Sequence, residues 1–132
     1  MPRFRISEAA ALLGVSDDTV RRWVDDGTLT AGVDSAGRKV VDGAALATLA
    51  RQLATPTPDA SGVRRSARNR FVGLVTALQV DGVMAQVEMQ CGPHRVVSLV
   101  SREAVEDLGL EVGSRAVAVV KATNVIVETP QR

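Results

Sequence analysis

The apolar residues at the start of the chain recur at helical spacing, and a glycine interrupts them at position 14. Ser7 is a natural N-cap for a helix over residues 8–13, because its hydroxyl can accept a hydrogen bond from the first turn. Gly14 can adopt the left-handed conformation that ends such a helix. The spacing predicts that Leu12 and Leu13 form the buried stripe of this first helix.

A second helix is predicted to begin only two residues later, at the N-cap Ser16, and to end at Gly27. Its apolar face consists of Val20, Trp23 and Val24. Residues 29–41 suit a short hairpin, and Asp42 can cap a third helix. We expect the core face of that third helix to hold Leu46, Leu49 and Leu53. Two helices joined by a tight turn are typical of the helix-turn-helix, which presents its second helix to the major groove of DNA.

Beyond residue 66 the pattern changes from helical spacing to alternation. The alternation is clearest over residues 83–91, where one side of the predicted strand holds Val83, Ala85, Val87, Met89 and Cys91. Further strands are predicted at 71–80, 95–100, 116–121 and 125–128, and a short helix at 101–108. Five short strands and one helix in about 65 residues predict a small β-barrel of the OB-like kind.

The two patterns are separated by a segment rich in proline and small polar residues, which has neither helical nor alternating periodicity. We therefore predict a helix-turn-helix domain over residues 1–54, a linker over 55–65 and a β-domain over 66–130. The fold class that follows is α+β, with an N-terminal winged helix-turn-helix and a C-terminal small OB-like β-barrel.

Composition limits the classes of protein that the chain can represent. Uninterrupted apolar runs such as residues 116–120 are far shorter than the roughly 20 residues of a transmembrane helix, and no signal-peptide pattern opens the chain. We expect a cytoplasmic protein without a membrane partner. Cys91 is the only cysteine and His94 the only histidine, so no metal coordinated directly by side chains is expected.

The closeness of Cys91 and His94 suits either a catalytic pair or a turn, and the Gly-Pro between them favours the turn. We find no nucleophile, base and orienting group placed together in the sequence, so no catalytic residues are assigned and the chain is not expected to be an enzyme.

Charge is distributed unevenly although the formal net charge is only +1. Residues 1–54 carry seven Lys or Arg and seven Asp or Glu, whereas residues 55–70 carry four and one. Residues 71–132 carry five basic and seven acidic side chains. The predicted DNA-binding domain is therefore electrically neutral, which implies modest affinity for DNA per subunit and favours a dimer whose two heads share one operator.

The first domain resembles the winged helix-turn-helix of MerR-type regulators and excisionases. The resemblance rests on the segment from Phe4 to Trp23 and on Asp26-Gly-Thr-Leu29, and it extends to about residue 53. It implies that the second helix enters the major groove of double-stranded DNA while the hairpin, or wing, grips the backbone. The DNA-binding residues implied are Ser16, Thr19, Arg21, Arg22, Arg38 and Lys39. The alternative is that these polar residues form only a solvated helix face.

The second domain offers donors for a tetrahedral dianion, which needs cations, hydroxyls and backbone N–H groups to replace its hydration. Ser66 and Arg68 precede the first strand, Ser101 begins a helix, and Lys121 ends an apolar strand. Lys121 shares its strand face with valines, so its ammonium group either extends past the strand end to solvent or meets an anion. These donors alone leave both interpretations open.

Three blocks of the second domain, 66–75, 100–110 and 119–125, resemble the molbindin (Mop, or TOBE) domain. The resemblance implies a molybdate or tungstate oxyanion as ligand, bound at the interface between adjacent Mop domains. The residues implied for oxyanion binding are Ser66, Arg68, Ser101, Lys121, Ala122 and Thr123. One departure concerns Ala104, which stands where many relatives have another hydroxyl.

Together the two resemblances imply a molybdate-responsive transcriptional regulator. A single Mop domain cannot form an interdomain site alone, so the resemblance implies a homo-oligomer, a dimer at least, and molbindins also form hexamers. The alternatives are a molybdate storage or carrier oligomer whose N-terminal domain binds another protein, and a Mop-like barrel that has lost its ligand.

Overall fold

The computed structural model describes residues 2–55, 58, 62 and 66–130, and the chain divides into two compact units, Met1–Pro56 and Thr57–Arg132. The chain is α+β, as predicted. Most of the predicted linker over residues 55–65 lies outside the described residues. Within the described part of the chain, no helix is both long enough and apolar enough to cross a membrane.

The N-terminal unit combines three helices with a small antiparallel sheet. Its elements in chain order are β1 (Arg3–Arg5), α1 (Ile6–Leu13), α2 (Asp17–Asp25), β2 (Ala31–Val33), β3 (Lys39–Asp42) and α3 (Gly43–Leu53). The strand order is β1-β3-β2, so the predicted hairpin exists and carries an additional strand at its outer edge. That strand was not predicted, because its partner β3 lies far along the chain.

The first helix differs from its prediction at both its start and its buried face. It begins at Ile6 and not after Ser7, because the N–H of Arg5 donates to Glu8 Oε1 (3.1 Å) and so starts the helix earlier. Gly14, with φ 68°, ends the helix as predicted. Ala9 and Ala10 are buried, whereas Leu12 is 62% exposed. Leu13 lies one turn after Ala9 on the same helix face and packs against the core half-buried, as predicted, whereas Leu12 lies off that face.

The N-terminal core otherwise follows the predicted helical faces. Its buried members are Ala9, Ala10, Val20, Leu29, Val41, Leu46 and Leu49, and Trp23 and Val24 pack against them. Leu53 is an exception, because it lies in the last turn of α3 and is half exposed. Ser16 caps α2 as predicted, since its hydroxyl accepts a hydrogen bond from the N–H of Thr19 (3.2 Å).

The C-terminal unit is a curled antiparallel sheet with one helix. Its elements are β4 (Asn69–Asp81), β5 (Met84–Cys91), β6 (His94–Ser101), α4 (Arg102–Leu108) and β7 (Arg115–Val120), followed by a 3₁₀ turn (Ala122–Asn124). The strand order is β6-β5-β4-β7. The long strand β4 pairs with β7 over its first half and with β5 over its second half, with a bulge between Val75 and Ala77. A bulge bends a strand and increases its twist, which suits the OB-like fold that was predicted.

The alternation predicted over residues 83–91 is confirmed from Ala85 to Cys91, whereas Val83 lies in the turn before β5 and is exposed. The core of this unit consists of Val75, Ala85, Val87, Met89, Cys91 and Val105. Where β4 crosses β5, a Cβ atom on Gly73 would lie 2.6 Å from Cys91 Sγ and would also collide with the carbonyl oxygen of Gln90. Only glycine fits at this crossing.

The fifth predicted strand, residues 125–128, is wrong for the single chain, because this segment has no strand structure. Ile126 and Val127 are each 85% exposed. A strand needs a partner edge, and the segment pairs with no strand among the described residues. In the part of the chain that the structure describes, the outer edges of β6 and β7 are also unpaired, and a mainly apolar cavity of about 520 Å³ lies between these two strands.

Candidate functional site

The two cations predicted to bind the anion, Arg68 and Lys121, lie at the same corner of the C-terminal sheet. Asn69 and Val120 form the last residue pair between β4 and β7, and Asn69 Nδ2 also donates to the carbonyl oxygen of Val120 (3.3 Å). The next residues outward along the two antiparallel strands are Arg68 and Lys121, which are both exposed. Arg68 and Lys121 therefore place two positive charges side by side at this end of the sheet.

Backbone donors follow directly after Lys121. The chain turns there into the 3₁₀ segment, in which the N–H of Asn124 donates to the carbonyl oxygen of Lys121 (2.9 Å). The first N–H groups of a helical turn have no partner inside that turn, which leaves those of Ala122 and Thr123 available. Ser66, two residues before Arg68, is exposed.

Ser101 lies in a different place, where β6 gives way to α4. Its hydroxyl accepts a hydrogen bond from the N–H of Ala104 (3.0 Å), so Ser101 caps α4 and keeps its hydroxyl hydrogen for another acceptor. The backbone N–H of Ala104 is thereby already used and does not replace the missing hydroxyl. A surface cleft of about 330 Å³ adjoins this position and is lined by Gly82, Val83, Ser101, Arg102, Glu103 and Glu106.

The register of the sheet separates these two groups of residues. Ser101 pairs with Met84, and Met84 pairs with Asp81 at the end of β4, whereas Asn69 pairs with Val120 at its beginning. The whole 13-residue length of β4 therefore lies between the Ser101 end of the sheet and the end with Arg68 and Lys121. One chain brings Arg68, Lys121 and the turn together but does not bring Ser101 to them.

The predicted DNA-contacting residues of α2 are partly committed to local contacts. The Ser16 and Thr19 hydroxyl groups are 2.9 Å apart and hydrogen bond with each other. Arg21 Nη1 lies 3.1 Å from Asp18 Oδ1 in an exposed ion pair. Hydrogen bonds from the side chain and backbone of Thr28 lower the pKa of Asp26, and the charge of the exposed Arg22 adds a smaller contribution.

The hairpin between β2 and β3, which we call the wing, is organised by Asp34. Asp34 Oδ1 accepts hydrogen bonds from the N–H groups of Ala36 and Arg38 (2.9 Å each), and the guanidinium of Arg38 lies 3.4 Å from Asp34 Oδ2. The hydrogen bond from the Arg38 N–H contributes most to the lowered pKa of Asp34. Arg38 and Lys39 are both exposed at the end of the wing.

The structure agrees with a turn and not a catalytic pair at Cys91 and His94. Cys91 is buried in the core, where its Sγ lies 3.7 Å from the carbonyl oxygen of Phe71, while His94 is exposed at the start of β6. Burial raises the pKa of the Cys91 thiol, so the thiol stays protonated at neutral pH. Among the described residues no cluster of three or more His, Cys, Asp or Glu side chains could hold a metal ion.

Sequence reasoning missed Asn69, whose amide ties the two strands together beside Arg68 and Lys121. Its hydrogen-bond partner Val120 lies 51 residues away, so no local pattern marks the contact.

Two domain families match the chain in succession. The helix-turn-helix domain matches residues 4–54, and the TOBE domain matches residues 65–127. The chain therefore contains a helix-turn-helix domain followed by one TOBE domain.

Known relatives of the TOBE domain are proteins of molybdenum metabolism. Molybdenum-pterin-binding protein 3 of Clostridium pasteurianum is 38% identical over 63 residues, which are 47% of this chain and 93% of that protein. The molybdenum transport protein ModE of Azotobacter vinelandii is 32% identical over 68 residues, 51% of this chain and 25% of that protein. The structure of the cytoplasmic molybdate-binding protein ModG with molybdate bound matches with a TM-score of 0.51 and 42% identity, covering 55% of this chain and 52% of ModG.

The chain belongs to the family of molybdenum-pterin-binding (Mop) proteins through its TOBE domain. This is a family of binding proteins and not of enzymes. The chain spans about half the length of ModG and a quarter of the length of ModE.

Proposed function

We propose that the protein is a molybdate- or tungstate-responsive transcriptional regulator in the cytoplasm. In this proposal the oxyanion binds where the TOBE domains of two chains meet, and α2 and the wing bind double-stranded DNA. The helix-turn-helix domain and the relationship to molybdate-binding ModG support the two halves of the proposal.

One observation carries the interchain site: the predicted ligands are divided between opposite ends of one sheet. Ser101 is at one end, and Arg68 and Lys121 are at the other. If all of them bind one small anion, a second chain must supply the missing end. A two-fold arrangement then creates two equivalent sites for each pair of chains, because each chain contributes both ends.

The chemistry of the combined set suits a tetrahedral metal oxide dianion. Arg68 and Lys121 supply two positive charges, which match the charge of the anion. The hydroxyl groups of Ser66, Ser101 and Thr123 and the N–H groups of residues 122 and 123 supply directed hydrogen bonds. Charge-assisted hydrogen bonds of this kind are stronger than neutral ones and offset the lost hydration of the anion. Tungstate has the same shape and charge, so we include it in the proposal.

The C-terminal segment supports association of chains. Val125, Ile126 and Val127 are exposed apolar residues, and the sheet has two unpaired edges with an apolar cavity between them. Contiguous exposed apolar surface is typical of proteins that associate. A dimer is the smallest assembly that completes the proposed site, and a hexamer built from such dimers satisfies the same contacts.

The charge of the N-terminal domain supports a dimer as well. Its seven basic and seven acidic residues give no net attraction to DNA. Two domains on one operator double the number of contacts, which compensates for weak binding by each. If anion binding favours one arrangement of the two chains, it changes the DNA affinity by its differential affinity for that arrangement.

The proposal is tested by measuring how DNA affinity depends on molybdate. DNA sequences selected in vitro by the full chain serve as the probe, and their dissociation constant is measured with and without molybdate. We expect a change of about 5- to 150-fold, as is typical of allosteric coupling, and no change with sulfate at the same concentration. An unchanged affinity would reject the sensing function.

Two variants separate the halves of the proposal. Lys121→Ala should bind the selected DNA but no longer respond to molybdate, and Arg22→Ala should bind molybdate but lose DNA affinity. The alternative, a storage or carrier oligomer, predicts several bound anions in each oligomer and no DNA sequence that is retained above background.

A further inference from the structure

Arg3 lies across the small sheet of the N-terminal unit. It pairs with Asp42 of β3, and its side chain reaches beyond β3 to the strand β2 of the wing. A Cβ atom built on Gly32 of β2 would lie 3.5 Å from Arg3 Nη1. The guanidinium of Arg3 therefore lies beside Gly32, at an ordinary contact distance from where a Cβ atom would stand.

The guanidinium of Arg3 is not held by an acidic neighbour. Its cross-strand partner Asp42 directs Oδ2 to the N–H of Ala45 (3.0 Å), where it caps α3. Three other arginines of the unit have ion-pair partners close in sequence, namely Arg5 with Glu8, Arg21 with Asp18 and Arg38 with Asp34. Within residues 2–55, Arg3 has no carboxylate within 4 Å, which leaves its donors open to solvent.

The residue at position 32 has no conformational need to be glycine. Its φ is not positive, unlike that of Gly37 at the tip of the wing. The absence of a side chain instead leaves room on β2 for the guanidinium of Arg3. Alanine at this position would meet Arg3 Nη1 at an ordinary contact distance of 3.5 Å, whereas the larger side chain of valine is expected to displace the guanidinium.

We propose that Arg3 binds a DNA phosphate as an anchor in addition to α2 and the tip of the wing. The proposal rests on the proposed DNA-binding function, and it assigns Gly32 as the residue that positions Arg3. The guanidinium of an exposed arginine carries a planar set of donors, a geometry that matches phosphate oxygens. Such a contact contributes affinity but carries no sequence information.

The first test replaces Arg3 with glutamine, which keeps most of the side-chain length and removes the charge. Binding of the full chain to selected DNA is measured across a series of salt concentrations. We expect Arg3→Gln to weaken binding by a similar factor for every DNA sequence, and to reduce the slope of log Kd against log salt by about 1 for each DNA-bound domain. The matched control is Arg51→Gln on α3, which makes the same change in charge and should leave the slope unaltered.

The second test keeps the charge of Arg3 but displaces its guanidinium. Gly32→Val should displace the guanidinium and weaken DNA binding by a factor close to that of Arg3→Gln. The double variant should bind no more weakly than either single variant, because both changes remove the same contact. Additive losses would show that the two residues act separately and would overturn the role of Gly32.

The outcomes distinguish this inference from the function on which it rests. If the parent chain retains no DNA, the proposed function fails and the inference fails with it. If the parent chain binds DNA and Arg3→Gln has an unchanged salt slope, only the inference fails. Equal losses in Arg3→Gln and Arg51→Gln would indicate a general effect of charge and would also overturn it. Thermal unfolding of each variant shows whether the domain remains folded.

Discussion

The side-chain amide of Asn69 donates a hydrogen bond to the carbonyl oxygen of Val120, 3.3 Å away, at the last residue pair between β4 and β7. This contact fixes the two strand ends directly before Arg68 and Lys121. It therefore holds the two cations of the proposed oxyanion site at neighbouring positions, although Asn69 itself is not proposed to bind the anion.

We predict that Asn69→Ala lowers molybdate affinity several-fold while the chain remains folded. The expected loss of stability is about 0.5–1.5 kcal/mol, the usual value of one hydrogen bond. Calorimetric titration and thermal unfolding measure the two effects. Gln79→Ala, an exposed amide in the other half of β4, is the control and should alter neither. Unchanged molybdate affinity in Asn69→Ala would show that this contact does not organise the site.

Removing either cation should weaken molybdate binding strongly. A hydrogen bond to a charged group is worth about 1.5–3 kcal/mol, so Arg68→Ala and Lys121→Ala should each lower the affinity roughly 10- to 100-fold. Both side chains are exposed, so the melting temperature should change little. Arg95→Ala is the matched control, because this arginine pairs with Glu88 (2.7 Å) on β5. Full affinity in Arg68→Ala and Lys121→Ala would contradict the assigned site.

Gly73 is expected to tolerate no side chain. A Cβ atom there would lie 2.6 Å from Cys91 Sγ and would collide with the backbone of Gln90, so β4 and β5 would have to separate. We predict that Gly73→Ala destabilises the chain by about 1–3 kcal/mol, as overpacking of a core usually does. Gly32→Ala, where the added Cβ has a normal contact distance of 3.5 Å, is the control in chemical denaturation. Equal midpoints for both variants would refute the close approach.

Glu88 should make the stability of the chain depend on pH in the acid range. The hydrogen bond from Arg95 (2.7 Å) and a second from Thr76 (2.9 Å) lower the pKa of Glu88 below its ordinary value of 4.5. A lowered pKa in the folded state means that the stabilisation is complete above pH 4.5 and disappears as the pH falls through the folded-state pKa.

The variant Glu88→Gln isolates this effect. We expect the parent chain to melt at a higher temperature than Glu88→Gln at neutral pH, and the two melting temperatures to converge as the pH falls below the ordinary glutamate range. A difference that stays constant or grows in acid would show that the carboxylate is not stabilised by Arg95 and Thr76.

The sequence predicted those parts of the fold that depend on neighbouring residues. Alternation over β5 identified Ala85, Val87 and Met89 as core residues, and the caps at Ser16 and Asp42 were recognisable because each accepts a hydrogen bond from the N–H three residues ahead. Val83 was also assigned to the buried side, but it is 80% exposed because it lies in the turn before β5.

The features that the sequence did not predict depend on distant contacts. Strand β1 exists only because Phe4 pairs with Val41, and three residues carry no periodic signal. Leu12 and Leu13 were expected to form the buried face of α1, but Ala9 and Ala10 are its buried residues, Leu13 packs against them half-buried, and Leu12 is exposed. Residues 125–128 have the composition of a strand, but composition does not show whether a partner edge is available within one chain.

Prediction of the oxyanion site from the sequence was limited in the same way, because the site also depends on distant contacts. Sequence spacing and resemblance identified the residue types, but only the register of the sheet shows that Ser101 and Lys121 lie at opposite ends of the unit. That separation is the reason for the central claim that two chains build each oxyanion site.

Complementation between two defective chains tests this claim most directly. Ser101→Ala and Lys121→Ala chains are produced separately and together, and native mass spectrometry counts chains and bound molybdate ions in each oligomer. Each variant alone should be empty at a molybdate concentration that fills the parent protein. A dimer of one Ser101→Ala chain and one Lys121→Ala chain should bind half as many molybdate ions as a parent dimer. One of its two sites then combines an intact Ser101 from one chain with an intact Lys121 from the other. Mixed oligomers as empty as the two single variants would contradict the account.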